Sequence, residues 1–262
     1  MPLPVLPSSS SLSSEALLRL FHQTELEWQR HLGDETVLDN SIALMTKQGI
    51  ALSVTPPDSD QWPMMLRNIR QFFLAHGRLS PSLQLNPSID PSCAHQFEAF
   101  LQSQGWQARR CDVFHLIRRR NIAPSKEIRL IPARASFRHV ELLDEISPPK
   151  LLPHLDDPHV DAWIAMDGRN VIGAMAVLAV GETGRIAHLF VTPDRRRQGI
   201  GGRLLDRALD IAARSLMKHV FIAVDEDESA TRALATSVGF ELIGNLTTWA
   251  APPIDTASSS PP

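Results

Sequence analysis

Apolar residues recur at helical spacing over Glu15–Leu32, at Leu17, Leu18, Phe21, Leu26 and Trp28, and predict an opening helix. Two short strands are expected at Ser41–Met45 and Ile50–Val54, divided by the turn-like Lys47-Gln48-Gly49. Trp62–Ala75 reads as a helix with Pro63 in its first turn and Gly77 as its stop. Leu83–Leu85 (strand), Ser92–Gln104 (helix, halted by Gly105) and Val113–Ile117 (strand) follow. A second series then begins: strand Ile128–Ile131, helix Phe137–Ile146, and a proline-rich loop or broken helix at Pro148–Pro158. Ala162–Met166 and Val171–Val180 form a hairpin across Asp167-Gly168. After a buried strand near Ile186–Val191 comes a helix whose apolar positions are Leu204, Leu205, Ala208, Leu209, Ala212 and Leu216. Strand Val220–Val224, helix Ser229–Ser237 and a last strand from Leu242 complete the series.

The two series resemble each other. Gln104-Gly105-Trp106 ends a helix as Val238-Gly239-Phe240 does, about 134 residues later, and a turn-rich link precedes each of those helices. The expected organisation is a tail over 1–14, a domain over 15–120, a linker over 121–126, a domain over 127–250 and a tail over 251–262. The first domain is read either as a degenerate copy of the second or as an unrelated α/β domain.

The chemistry concentrates in Ile186–Leu205, IAHLFVTPDRRRQGIGGRLL. Pro193 ends the strand, three arginines and Gln198 follow, and Gly199-Ile200-Gly201-Gly202 leads into a helix. The first N–H groups of a helix lack partners and carry the positive end of its dipole. Glycines let that backbone approach an anion closely, so the arrangement suits a phosphate. It is neither a Walker loop, which needs Lys-Ser/Thr after the second glycine, nor a Rossmann GxGxxG.

Val191 and Pro193, followed by Arg196, Gly199 and Gly201, resemble the acetyl-CoA signature of the GNAT superfamily of N-acetyltransferases. The resemblance implies an α/β fold of α+β type for residues 127–250, with a mixed, largely antiparallel sheet flanked by helices. It implies that Leu189, Phe190 and Val191 line the pantetheine arm, and that Arg196, Arg197, Gln198, Gly199, Ile200, Gly201, Gly202 and Arg203 cradle the pyrophosphate. Glu228 holds the place of an Asn that family members often use before the last helix. A backbone N–H near Leu189 or Phe190 is expected to polarise the thioester. In the first domain the corresponding loop, Pro56–Gln61, has no glycine or arginine and carries Asp58 and Asp60, so that half is not expected to bind coenzyme A.

Catalytic side chains are not assigned. The family's tyrosine acid falls on Ala235, and the chain has no tyrosine; Ser237 is a nearby hydroxyl. A thiol's ordinary pKa of about 8.5 lets the thiolate leave near neutrality without one. The family's positions for a base on the central strand hold Arg185 and Ala187, and another on the strand before the last helix holds Ala223. His188 lies between the first two in the opposite parity, so its side chain is expected to point away from the acyl group unless a bulge resets the register. Without an evident base, an acceptor amine of low pKa is favoured: deprotonating a lysine-like amine costs roughly 4 kcal/mol near neutrality, and an α-amine under about 1 kcal/mol.

His154, Asp156, Asp157 and His159 match no zinc spacing, and Pro153 and Pro158 break the local geometry, so they read as a polar loop and no metal is expected. The GNAT resemblance implies that the segment after the first helix of this domain borders the acceptor, where Glu145, Asp156 and Asp157 would favour a cationic one. A net charge of −3, and no aromatic platform beside the arginines, argue against nucleic acid. Two cysteines, Cys93 and Cys111, fit a reducing cytosol, and no apolar run is long enough for a membrane span or signal peptide. The expected activity is transfer of acetyl from acetyl-CoA directly to the primary amine of a small molecule or amino acid; the alternative is a non-catalytic acyl-CoA-binding or interaction module. Oligomeric state is not legible.

Overall fold

A computed structural model describes residues 12–38, 41–46, 50–77, 81–120, 128–147 and 150–252. The expected linker, the turn at Lys47-Gln48-Gly49, Pro148-Pro149 and most of both tails lie outside them. The first half contains α1 (Ser14–Leu32), β1 (Gly33–Leu38), β2 (Ser41–Thr46), β3 (Ile50–Val54), α2 (Trp62–Ala75), β4 (Ser82–Leu85), α3 (Pro91–Ser103) and β5 (Gln107–Leu116). The second contains β6 (Arg129–Pro132), α4 (Phe137–Ile146), β7 (Val160–Asp167), β8 (Asn170–Val180), β9 (Thr183–Val191), α5 (Ile200–Arg214), β10 (His219–Asp225), α6 (Ser229–Val238) and β11 (Phe240–Ala250). A 3-10 turn precedes α2 (Ser59–Gln61) and another precedes α5 (Pro193–Arg195). From β1 onward the order of the first half, β-β-β-turn-α-β-α-β, is therefore that of the second half from β7 onward.

Two compact units divide the described residues otherwise than at a single linker: 12–28 with 112–244, and 29–111 with 245–252. In the first unit, β6-β7-β8-β9 are antiparallel neighbours and β9 runs parallel to β10. Beyond β10 lie the end of β5 and the start of β11. One face of this sheet packs on α5 and α6, burying Ile186, Val220, Ile222 and Val224 with Leu204, Leu205, Ala208, Leu209, Ala235 and Val238. On the other face Phe221 of β10 meets Phe21 of α1 edge-on at 5.5 Å. Helix α1 therefore completes this unit, although it belongs to the first half of the sequence.

In the second unit, β1-β2-β3 are antiparallel, β3 runs parallel to β4, and β4 pairs with the end of β11 through Thr248, Trp249 and Ala250. Trp249 joins Trp62, Ile69, Phe97, Leu101 and Trp106 in its core. The tail expected from Ala251 does not begin there: that residue is buried and its N–H donates to Pro81 O at 2.8 Å. At the other end, Ser13 and Ser14, also expected in a tail, start α1. Ser13 accepts from Leu17 N–H at its carbonyl and from Ala16 N–H at its hydroxyl. No helix among the described residues is long and apolar enough to cross a membrane.

Candidate functional site

The pairing of β9 with β10 runs from Thr183↔His219 to Ile186↔Ile222 and stops there, while both strands continue. From Ala187 onward the edge of β9 nearest β10 is open. The register with β8 determines which backbone groups face that opening. Thr192 N–H donates to Ile172 O at 3.0 Å, and Phe190 stands opposite Ala174 two residues away, so both turn their backbone groups toward β8. Val191 turns the other way, and its carbonyl accepts from Arg196 Nε at 3.2 Å. Of the two positions expected to offer a polarising N–H, Phe190 is therefore directed into the sheet, and Leu189 lies on the opposite side of it.

Chain geometry builds the turn into α5. Arg197 has φ 63° and Gly199 φ 79°, both left-handed. Left-handed residues in such a turn gather successive N–H groups into an anion-binding concavity. The first α5 bond runs from Arg203 N–H to Gly199 O at 3.1 Å, so the N–H groups of Ile200, Gly201 and Gly202 precede the helical ladder. A Cβ on Gly201 would come within 3.1 Å of Leu234 on α6 and 3.8 Å of Val191. The strand end, the turn and the helix start are thus brought together. Glu228 stands at the N-cap position of α6, at the end of the link from β10; it is exposed and makes no side-chain capping bond, its carboxylate accepting from Thr231 Oγ1 at 3.0 Å.

Ala235, at the tyrosine's place, is fully buried against α5. Ser237 is exposed and spends its hydroxyl proton on Leu234 O at 2.7 Å. Asp157 is buried and accepts from Trp28 Nε1 at 3.1 Å and from His159 N–H at 2.9 Å. Burial works to raise its pKa, but His159 and Trp28 outweigh it and hold the carboxyl below its ordinary value. Asp144 pins the start of the same loop by accepting from the N–H groups of Leu151 and Leu152. Among the described residues no group of three or more His, Cys, Asp or Glu is disposed to hold a metal ion.

His188 does not lie where its parity suggested. Ala174 pairs with Phe190 and Ala176 with Ala187, so His188 and Leu189 together oppose Met175. This bulge is formed by His188 itself, at φ 52°. Ile186 before it and Leu189 and Val191 after it all pack toward α5. His188 shares the other face with Arg185, which pairs with Glu25 of α1. Its ring lies 5.1 Å from that of His154, which in turn lies 5.2 Å from Trp28 of α1. No glycine marked this bulge in the sequence; histidine, with Asn and Asp, is enriched at positive φ, and that weak preference was the available sign.

Residues 129–240 match the family model described as Acetyltransferase (GNAT) family. This segment belongs to the GNAT acetyltransferases. A GCN5-related N-acetyltransferase from Kribbella flavida shares the fold at TM-score 0.68 and 15% identity, covering 91% of this chain and 97% of its own. A functionally unknown conserved protein from Staphylococcus epidermidis aligns at TM-score 0.60 and 14% identity, over 85% and 95% of the two chains. A GCN5-related N-acetyltransferase from Sphaerobacter thermophilus aligns at TM-score 0.56 and 15% identity, over 82% of each. These alignments extend beyond the GNAT segment, so the first half shares their fold as well. No curated protein sequence matches the chain. GNAT membership supports acyl transfer as the chemistry of the second half.

Proposed function

We propose that the protein is an N-acetyltransferase that passes acetyl from acetyl-CoA directly to the primary amine of a small molecule or amino acid. The observation that carries this is the opening of β9 from β10 after Ile186, directly ahead of the left-handed turn at Arg197 and Gly199. In this reading the pyrophosphate sits on the N–H groups of Gly199, Ile200, Gly201 and Gly202, with Arg196, Arg197, Gln198 and Arg203 around it. Val191 takes the pantetheine arm along the open edge. Leu189 N–H faces the thioester oxygen, where a fixed donor stabilises the charge that grows on attack. Glu228 lies at the far side of the opening.

The first half, on this reading, is a degenerate copy without a coenzyme A site. Its equivalent helix start carries Pro63, which has no N–H, and the preceding turn holds exposed Asp58 and Asp60. Titration calorimetry tests the assignment. Acetyl-CoA is expected to bind at a single site per chain, and Gly199→Val to weaken it at least about tenfold, because a β-branched residue is strained at φ 79°. Unchanged affinity in a folded Gly199→Val protein, or no binding by the wild type, refutes it. Thiol release on adding amines then separates an enzyme from a binding module, and α-amines are expected to outpace alkyl polyamines.

A further inference from the structure

We propose that His188 is the base that takes the proton from the acceptor amine, with His154 as the residue that positions it. The proposal rests on the acetyl-CoA reading above. Its own ground is the bulge. A regular β9 would alternate, sending His188 into the α5 core with Ile186; instead the extra residue turns it to the α1 face, beside the backbone at Leu189. A non-glycine residue at φ 52° inside a strand is strained, and such strain persists only where surrounding structure holds it. Here the support is a row of rings from Trp28 through His154 to His188. His188 itself is half-buried, unlike the two rings behind it, which are buried.

The charged and titratable groups on this face are mostly committed to one another. Arg185 pairs with Glu25, Asp157 with Trp28 and His159, and Asp144 with backbone N–H groups; His22 of α1 is buried. Burial, aided by Arg185, lowers the pKa of His154 despite Asp157 and Asp144, which keeps the ring behind His188 neutral. Among side-chain bases, an imidazole is far better matched to an α-amine, whose ordinary pKa is near 8, than to a lysine-like amine near 10.4.

Neutral His188 takes one proton from R–NH3+, leaving R–NH2 and an imidazolium. The amine lone pair bonds to the acetyl carbon, and the C–S bond breaks with its electrons on sulfur. The nitrogen then loses a second proton, which ends on the thiolate, and the imidazolium returns its proton to solvent.

The test uses the full chain and three variants, with acetyl-CoA affinity from calorimetry and thiol release measured across an amine panel from pH 5.5 to 9. His188→Asn and His188→Gly both tolerate a positive φ, so the fold is expected to survive. Each is expected to lower kcat about 100-fold or more, keep acetyl-CoA affinity within about twofold, and abolish the acidic limb of the kcat/KM profile. Added imidazole is expected to restore turnover in His188→Gly. His154→Gln is expected to move the midpoint of the acidic limb without changing acetyl-CoA affinity. Turnover and an acidic limb that persist in His188→Asn overturn the assignment. So does a wild type that binds acetyl-CoA yet releases no thiol with any amine. A wild type that does not bind acetyl-CoA overturns the underlying reading as well, and the calorimetry identifies that case separately.

Discussion

His22 and His115 are buried imidazoles whose pKa values burial lowers from 6.5 to about 4, with His219 adding to the effect on His115. His115 Nε2 lies 3.2 Å from His219 Nδ1, so the fold brings together two rings that both become cationic in acid. In the unfolded chain each would bind a proton near pH 6.5; in the native state each resists until about pH 4. Stability is therefore full above pH 6.5 and falls as pH drops through that window, by on the order of 3 kcal/mol for each ring at pH 4. Urea midpoints between pH 7.5 and 4.5 check this, and His115→Leu is expected to flatten the slope. A midpoint that does not move over that range rules the account out. The turn residues on which the proposed coenzyme A site rests were legible because few residue types suit a left-handed turn ahead of a helix start. His188 was not, because one inserted residue reverses every later side chain in a strand, and in the letters IAHLFV only histidine's weak preference for positive φ hints at the insertion.

Most helices and strands were visible in their periodicity; the exceptions are polar. Strand β1, GDETVL, has no apolar alternation and leaves Val37 70% exposed, so it reads as loop until β2 supplies its ladder. Likewise β5 begins six residues before its apolar part, through the exposed stretch Gln107–Arg110. The junction of α6 with β11 is the opposite case, written plainly as Val238-Gly239-Phe240. Gly239 ends the helix at φ 110°, and a Cβ there would lie 1.8 Å from Arg118 O. Backbone cannot yield as a side-chain tip does. Gly239→Ala is expected to cost at least about 2 kcal/mol, read as a lower urea midpoint with an unchanged slope. A loss below about 0.5 kcal/mol would mean that the loop at Arg118 moves aside freely.

Two halves with one element order suggest a chain that could be cut between them, and that is where the sequence misleads most. The segment after β10 in the GNAT unit's sheet order is Asp112–Leu116 of β5, and the aromatic cover of Phe221 is Phe21 of α1. Neither is identifiable from local pattern, since pairing over more than a hundred residues leaves no trace in periodicity. A fragment of residues 127–262 lacks both. It is expected to show no cooperative thermal transition under conditions where the full chain melts cooperatively; circular dichroism and solubility decide, and a sharply melting fragment would show that α1 and β5 are dispensable. The exchange also has a consequence in time. Because β4 takes Thr248–Ala250 as its neighbour, the unit begun at residue 29 lacks a strand until that much later stretch has left the ribosome. Vectorial synthesis thus gives this half no head start: it must wait, partly open and with the edge of β4 bare, for a strand made long after β4 itself.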